Sequence, residues 1–179
     1  MSISITLPAE YGYVLATATG SFILSTWHGM RVGPFRKAAS TSTSSTQPLQ
    51  KIFSPPSREK KKEKEKRHNN GKHILTCLNY RNTLSNPNLY LFNCAQRAHY
   101  NFLENYVTFL PALLIAGLKY PVASSVLGAA WCVFRAMYAT GYTRADKKDG
   151  KGRLMGSAFW LAQFALYGMV GKVAWGMVF

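Results

Sequence analysis

Residues 92–120 read FNCAQRAHYNFLENYVTFLPALLIAGLKY. This stretch is long and apolar enough for a helix that crosses a bilayer, which needs about 20 mostly apolar residues. Its first half nevertheless carries Arg97, His99, Asn101, Glu104 and Asn105. Ionisable side chains at membrane depth cost about 2.5–3.5 kcal/mol each on insertion scales, so they usually face a partner or a water-filled cavity. The stretch therefore predicts a transmembrane helix that contributes to a polar site.

Three further apolar blocks have the length and composition of membrane spans. They run from about Tyr11 to Trp27, from about Pro121 to Tyr142, and from about Leu154 to the end of the sequence. The mean hydropathy of -0.08 hides these blocks, because it also includes a very polar stretch. The sequence predicts an all-α integral membrane protein, a left-handed bundle of four transmembrane helices that forms a single domain over residues 8–179.

The polar stretch covers about residues 40–88 and carries much of the net charge of +15. Residues 51–72 contain nine Lys or Arg residues and three Glu residues, without an interleaved aromatic residue other than Phe53. This composition is typical of a solvated, disordered segment. We interpret it as a disordered basic insert in the first loop and expect no nucleic-acid partner. A contact with anionic membrane lipid is the alternative.

The three cysteines, Cys77, Cys94 and Cys132, are odd in number and do not share a metal-binding spacing. They therefore predict neither a disulfide framework nor a metal site.

The loop charges predict the orientation of the bundle. The connection from Thr143 to Arg153 contains five Lys or Arg residues and two Asp residues, and the insert is also strongly basic. The short connection between the second and third spans offers only Lys119. Both basic loops lie on one side of a four-span bundle, and the positive-inside rule makes that side cytosolic.

Polar and aromatic residues recur at steps of four, three and four in two neighbouring spans, which places each set on one face of a helix. In the second span these residues are Arg97, Asn101, Glu104 and Thr108. In the third span they are Trp131, Arg135, Tyr138 and Tyr142. Two such faces exceed what mutual neutralisation of one Arg–Glu pair requires. We infer a pocket for a small, charged ligand; a purely structural ion pair is the alternative.

The segment from Phe92 to Asn105 resembles the second-helix signature of the MAPEG family, the membrane-associated proteins in eicosanoid and glutathione metabolism. It is most similar to type 3 microsomal glutathione S-transferases. The stretches EYGYV at residues 10–14, FRAMYATGY at 134–142 and GRLMGS at 152–157 agree with this. The resemblance covers roughly residues 8–39 and 89–175. The basic insert departs from it, either as a natural insertion or as translated non-coding sequence.

The resemblance implies a homotrimer that binds its co-substrate glutathione between adjacent subunits. The glutathione-binding residues of the family correspond here to Arg97, Asn101, Glu104, Arg135, Tyr138, Tyr142 and, less directly, Lys37. Arginines suit the two carboxylates of glutathione, and Glu104 suits its ammonium group. Lys37 also fits a plain membrane anchor. Asn105 stands where leukotriene synthases of the family have a glutathione-contacting tyrosine, so that contact is not carried over.

The resemblance also implies a catalytic role for Arg153, as the cation that stabilises the glutathione thiolate. A free thiol with a pKa of about 8.5 is mostly protonated at neutral pH, and a nearby cation favours the anion. A role as a helix-start anchor is the alternative for Arg153.

The function implied is a glutathione transferase that acts on lipophilic electrophiles, with glutathione-dependent lipid hydroperoxide peroxidase activity. The alternatives are a leukotriene C4 synthase-type conjugating enzyme and a non-catalytic lipid-binding or scaffold protein of the family. The implied location is the endoplasmic reticulum or nuclear envelope membrane, with the active site on the cytosolic side.

Overall fold

The structure is a computed structural model that describes residues 7–44, 86–146 and 148–178. These residues form helices without a strand among them. The α-helices are α1 (Tyr11–Ser44), α2 (Pro87–Lys119), α3 (Pro121–Tyr142) and α4 (Phe159–Val178). A 3-10 helix, Lys148–Gly156, lies between α3 and α4.

The predicted fold class, an all-α membrane bundle, is confirmed. Three stretches are long and apolar enough to cross a membrane, namely Pro87–Lys119, Pro121–Tyr142 and Lys151–Val178. Helix α1 is not among these three, because Ser, Thr and Gly residues dilute its apolar residues. It also continues past Trp27, the predicted end of the first span, to Ser44.

The structure has helix at both ends of the stretch predicted to be the basic insert, residues 40–88. Helix α1 includes residues 40–44, and α2 already begins at Pro87. Asn86 starts α2 by accepting hydrogen bonds at Oδ1 from the backbone N–H groups of Asn88 and Leu89, as an N-cap residue does. Residues 45–85 lie outside the described residues, so their disorder stays a prediction.

The described residues divide into two units. The first contains α1 up to Val32, α2 from Cys94 onward, α3, the 3-10 helix and α4. The described part of the second consists of the end of α1 and the start of α2. All the contacts described below lie within the first unit.

An aromatic cluster forms the centre of the first unit. The Trp131 ring of α3 stacks on Phe109 of α2, with 3.8 Å between ring centroids and 8° between the ring planes. Phe102 of α2 packs against Trp131 at a tilt, and Phe159 of α4 meets it edge-on. Each of these four side chains is at most 1 % exposed. In lipid such packing is a main source of helix association, because the lipid tails are as apolar as the side chains.

Small residues let α1 approach α2 and α3 closely. A Cβ atom added at Gly117 of α2 would lie 2.9 Å from the methyl groups of Val14, and one added at Gly128 of α3 would lie 2.8 Å from Thr17 Cγ2. Real Cβ contacts are longer than this, so a larger residue at either position would force the neighbouring side chains to shift. Glycine at helix contacts is common in membranes for this reason.

Three glycines hold the 3-10 helix against the end of α3. A methyl group at Gly141 would overlap the carbonyl group of Gly152, and one at Gly152 would overlap that of Gly141. A methyl group at Gly156 would lie 2.6 Å from Tyr138 Cα and would overlap other backbone atoms of α3. Arg153 lies between Gly152 and Gly156, so this backbone contact places its side chain next to α3.

We predict that Gly156→Ala lowers the thermal stability of the detergent-solubilised protein. The methyl group has only rigid backbone to displace, and such overpacking costs about 1–3 kcal/mol. The matched control is Gly171→Ala in α4, where nothing lies within 4 Å of the added Cβ. That change should be neutral or stabilise the helix by up to about 1 kcal/mol. Equal unfolding midpoints for Gly156→Ala and wild type would show that the contact with α3 is not tight.

Candidate functional site

The guanidinium group of Arg135 lies in the centre of the first unit with its side chain 0 % exposed. Four aromatic rings from three helices surround it. The ring centroids lie 4.2 Å from Arg135 Cζ for Phe159, 5.2 Å for Tyr138, and 5.5 Å for both Phe102 and Trp131. These rings attract the cation through their negative faces but do not neutralise it.

Arg135 makes one hydrogen bond to another side chain among the described residues. Its Nη1 donates to Asn101 Oδ1 on α2 at 2.9 Å. Its Nε and Nη2 atoms are buried and have no partner in the described part of the chain. A buried cation that lacks a counter-charge and full hydrogen bonding is unfavourable by several kcal/mol. The site is therefore complementary to an anion or another strong hydrogen-bond acceptor.

A run of contacts connects Arg135 to Arg153 near the end of α3. The Tyr138 ring meets the Tyr142 ring edge-on, with 5.7 Å between centroids. Arg153 Nη1 donates to the Tyr142 hydroxyl at 3.2 Å, and Arg153 Cζ lies 5.4 Å from the centroid of the Tyr142 ring. The Arg153 side chain is exposed, whereas Tyr142 is buried. Five of the predicted site residues thus form one connected group, which comprises Asn101, Arg135, Tyr138, Tyr142 and Arg153.

Arg97 and Glu104 lie apart from this group. Both side chains are exposed on α2, whereas the buried face of that helix includes Ala98, Phe102 and Phe109. Asn101 is half-buried, between the exposed and the buried face of α2. Of the predicted set Arg97, Asn101, Glu104 and Thr108, it is the residue that hydrogen-bonds to Arg135. The predicted ligand contacts of Arg97 and Glu104 stay predictions, and their exposure places them where a second molecule can reach them.

The structure also places Lys37, a predicted site residue, and Asn105, to which no ligand contact was carried over. Lys37 is exposed and lies in the second unit, so its assignment stays a prediction. Asn105 is 7 % exposed, and its Nδ2 donates to the carbonyl oxygen of Asn101 at 2.7 Å. Asn105 therefore braces the backbone of α2 at the residue that holds Arg135.

Sequence reasoning missed a polar network around Gln163 of α4. Trp131 Nε1 donates to Gln163 Oε1 at 3.0 Å. Gln163 Nε2 lies 2.5 Å from the Tyr167 hydroxyl, which in turn lies 2.6 Å from Thr108 Oγ1. Trp131 and Thr108, predicted to belong to the ligand stripes, thus belong to a network that joins α2, α3 and α4. Gln163, an amide in the apolar first half of α4, was the signal that could have revealed it.

The described residues contain no group of three or more His, Cys, Asp or Glu side chains that could hold a metal ion.

Comparison with known proteins places this site in a family context. A family model described as the MAPEG family matches residues 14–172, which include the whole group around Arg135. The chain belongs to the MAPEG family. Membership in MAPEG indicates a membrane protein whose function is related to glutathione or eicosanoid metabolism.

Among curated proteins, this MAPEG chain is similar to an uncharacterized protein, sll1147, of Synechocystis sp. The two are 40 % identical over 67 residues, which is 37 % of this chain and 49 % of the relative. The match therefore spans about half of the length of that relative. No solved structure matches the chain significantly.

Proposed function

We propose that this MAPEG protein is a membrane-bound glutathione transferase that conjugates glutathione to lipophilic electrophiles and also reduces lipid hydroperoxides with glutathione. One observation carries the proposal: the Arg135 guanidinium is fully buried with two nitrogen atoms that have no partner among the described residues. A substrate with two carboxylates supplies what this cation lacks. A scaffold without a ligand gains nothing from a buried cation of this kind.

Glutathione binding divides between the buried and the exposed residues of α2 and α3. Arg135 and Asn101 bind the buried end of the tripeptide, with Tyr138 and Tyr142 beside it. Arg97 and Glu104, both exposed, suit the second carboxylate and the ammonium group. The proposed homotrimer gives these two residues a polar surrounding, because an exposed charge on a membrane span is costly in lipid. Lys37 stays a residue that the family resemblance implies, because it belongs to the second unit.

Arg153 suits the thiol end of glutathione. It is exposed, so a ligand can reach it, and the Tyr142 hydroxyl fixes its orientation. A guanidinium next to the sulfur favours loss of the thiol proton to solvent. In conjugation the thiolate attacks an electrophilic carbon and forms the S–C bond, while the bond from that carbon to a halide or an epoxide oxygen breaks. The electron pair of the broken bond leaves with the halide or stays on the oxygen, which takes a proton from solvent. In peroxide reduction it attacks a peroxide oxygen, which releases the alcohol, and a second glutathione then yields glutathione disulfide and water.

The proposed location is the endoplasmic reticulum or nuclear envelope membrane with the site on the cytosolic side, where glutathione is available. The basic loop from Thr143 to Arg153 supports that orientation through the positive-inside rule. Arg153 lies at the end of this loop.

We predict that Arg97→Ala weakens glutathione binding by at least about tenfold, because hydrogen bonds to charged groups contribute roughly 1.5–3 kcal/mol each. Isothermal titration of the solubilised protein measures the affinity, and gel filtration shows whether the oligomer is intact. The matched control is Arg144→Ala, since Arg144 is also exposed but pairs with Asp146 at 3.0 Å. Normal glutathione affinity in correctly assembled Arg97→Ala would remove Arg97 from the site.

We predict a different effect for Arg153→Ala. Glutathione affinity should hold roughly constant, while turnover falls and its pH dependence moves to higher pH, because the lost cation no longer favours the thiolate. The test is turnover with a model electrophile as a function of pH, from about pH 6 to about pH 9. This range extends to both sides of the pKa of a free thiol. If affinity and turnover fall together with an unchanged pH profile, Arg153 is an anchor and not the thiolate-stabilising residue.

A further inference from the structure

Two further basic side chains, the buried His28 and the half-buried His99, lie near Arg135. His28 of α1 is 2 % exposed, and its ring stacks on Phe102 with 4.2 Å between centroids. The Arg135 guanidinium contacts the same Phe102 ring, at 5.5 Å from its centroid. His99 lies one turn before Phe102 on α2, and its Cε1 would lie 3.8 Å from a Cβ atom added at Gly29. Helices α1 and α3 therefore each bring a basic side chain to the Phe102 ring, and His99 of α2 lies beside Gly29, the residue after His28.

The buried polar atoms of these three side chains share an unusual property. His28 Nε2, His99 Nδ1, and Nε and Nη2 of Arg135 are all buried without a hydrogen-bond partner in the described part of the chain. The charged groups that act electrostatically on His28 are Arg135, His99 and Arg31, all of them basic. Among the carboxylates whose side chains the structure describes, Glu10 and Glu104 are exposed, and Asp146 pairs with Arg144.

Burying polar nitrogen atoms without a hydrogen-bond partner is unfavourable, unless a ligand supplies the missing hydrogen bonds. Each imidazole can carry its proton on the unpaired nitrogen and then donate a hydrogen bond, and the guanidinium supplies the charge. An apolar ligand would leave all of these atoms unsatisfied, and a metal cation would be repelled by the guanidinium. The chemistry left is that of a small anion with oxygen or halide acceptors.

We propose that His28, His99 and Arg135 form a subsite for a small anion inside one subunit. Two sources can supply this chemistry: a carboxylate of bound glutathione, or a free small anion. The subsite shares Arg135 with the proposed glutathione site, but its occupation by a free anion does not depend on glutathione binding. His28 is the residue that the subsite adds.

The test uses the full-length protein in detergent with sodium formate as the probe, at an ionic strength held constant with sodium gluconate. His28→Phe keeps a ring against Phe102 and removes the nitrogen atoms. Tyr100→Phe is the matched control, because it also removes one polar atom from an aromatic side chain but at an exposed position of α2.

We expect formate to raise the unfolding temperature of the wild type and of Tyr100→Phe along a saturating curve, by about 3–6 °C at ten times its dissociation constant. In His28→Phe the dissociation constant should rise at least about fivefold. A wild-type curve without saturation, or an equal response of His28→Phe, overturns the subsite.

Glutathione titrations with and without formate then distinguish the two sources. If the subsite takes a carboxylate of glutathione, formate weakens glutathione binding competitively and His28→Phe weakens it as well. If the subsite takes a free anion on one of the two Arg135 nitrogen atoms without a partner and leaves the other to glutathione, neither formate nor His28→Phe changes the glutathione affinity. If formate binds to the wild type and glutathione does not, the subsite stands and the proposed transferase function fails.

Discussion

The charge of Arg135 is the constraint on which the rest of the site depends. A guanidinium enclosed by Phe102, Trp131, Tyr138 and Phe159 keeps its charge, because arginine does not lose its proton in proteins. Its attraction to the rings and one hydrogen bond to Asn101 offset only part of the cost of burial. The interior of the bundle therefore contains a positive charge without a counter-charge, which an anionic ligand can supply.

Packing between the helices holds Arg135 and the residues around it in place. Lipid provides little hydrophobic drive for helix association, so close packing and internal hydrogen bonds have to maintain the bundle. Gly117 and Gly128 let α1 approach its neighbours, and Gln163 ties Trp131 to α2. At the end of α3, Gly152 and Gly156 seat the 3-10 helix, so that Arg153 reaches Tyr142. The second cation of the proposed site is thus positioned by backbone contact.

Much of the fold could be predicted from the sequence because hydropathy and helix length are local properties. The second, third and fourth spans were found in this way, although α1 proved longer and less apolar than the first predicted span. The periodicity of Arg135, Tyr138 and Tyr142 also placed them correctly on one helix face. Periodicity could not show that Trp131 hydrogen-bonds to Gln163 or that Arg97 is exposed. Both depend on the rotation of each helix about its axis relative to its neighbours.

The burial of His28 also could not be predicted from the sequence. In the sequence it stands at the end of an apolar block, next to Trp27, and looks like a residue at the membrane boundary. Only the packing of α1 against α2 reveals that its ring is buried on Phe102. His28, His99 and Arg135 come from three different helices, so no local pattern links them.

We infer that the bundle keeps Arg135 buried for a ligand and not for the stability of the fold. The most direct test is the unfolding temperature of wild type and Arg135→Met in detergent, each with and without saturating glutathione. We expect the ligand-free variant to unfold at the wild-type temperature or above it, because methionine fills the space without a charge. Glutathione should raise the unfolding temperature of the wild type only. A ligand-free variant that unfolds well below wild type, yet keeps the full rise with glutathione, would show that Arg135 serves the fold and not the ligand.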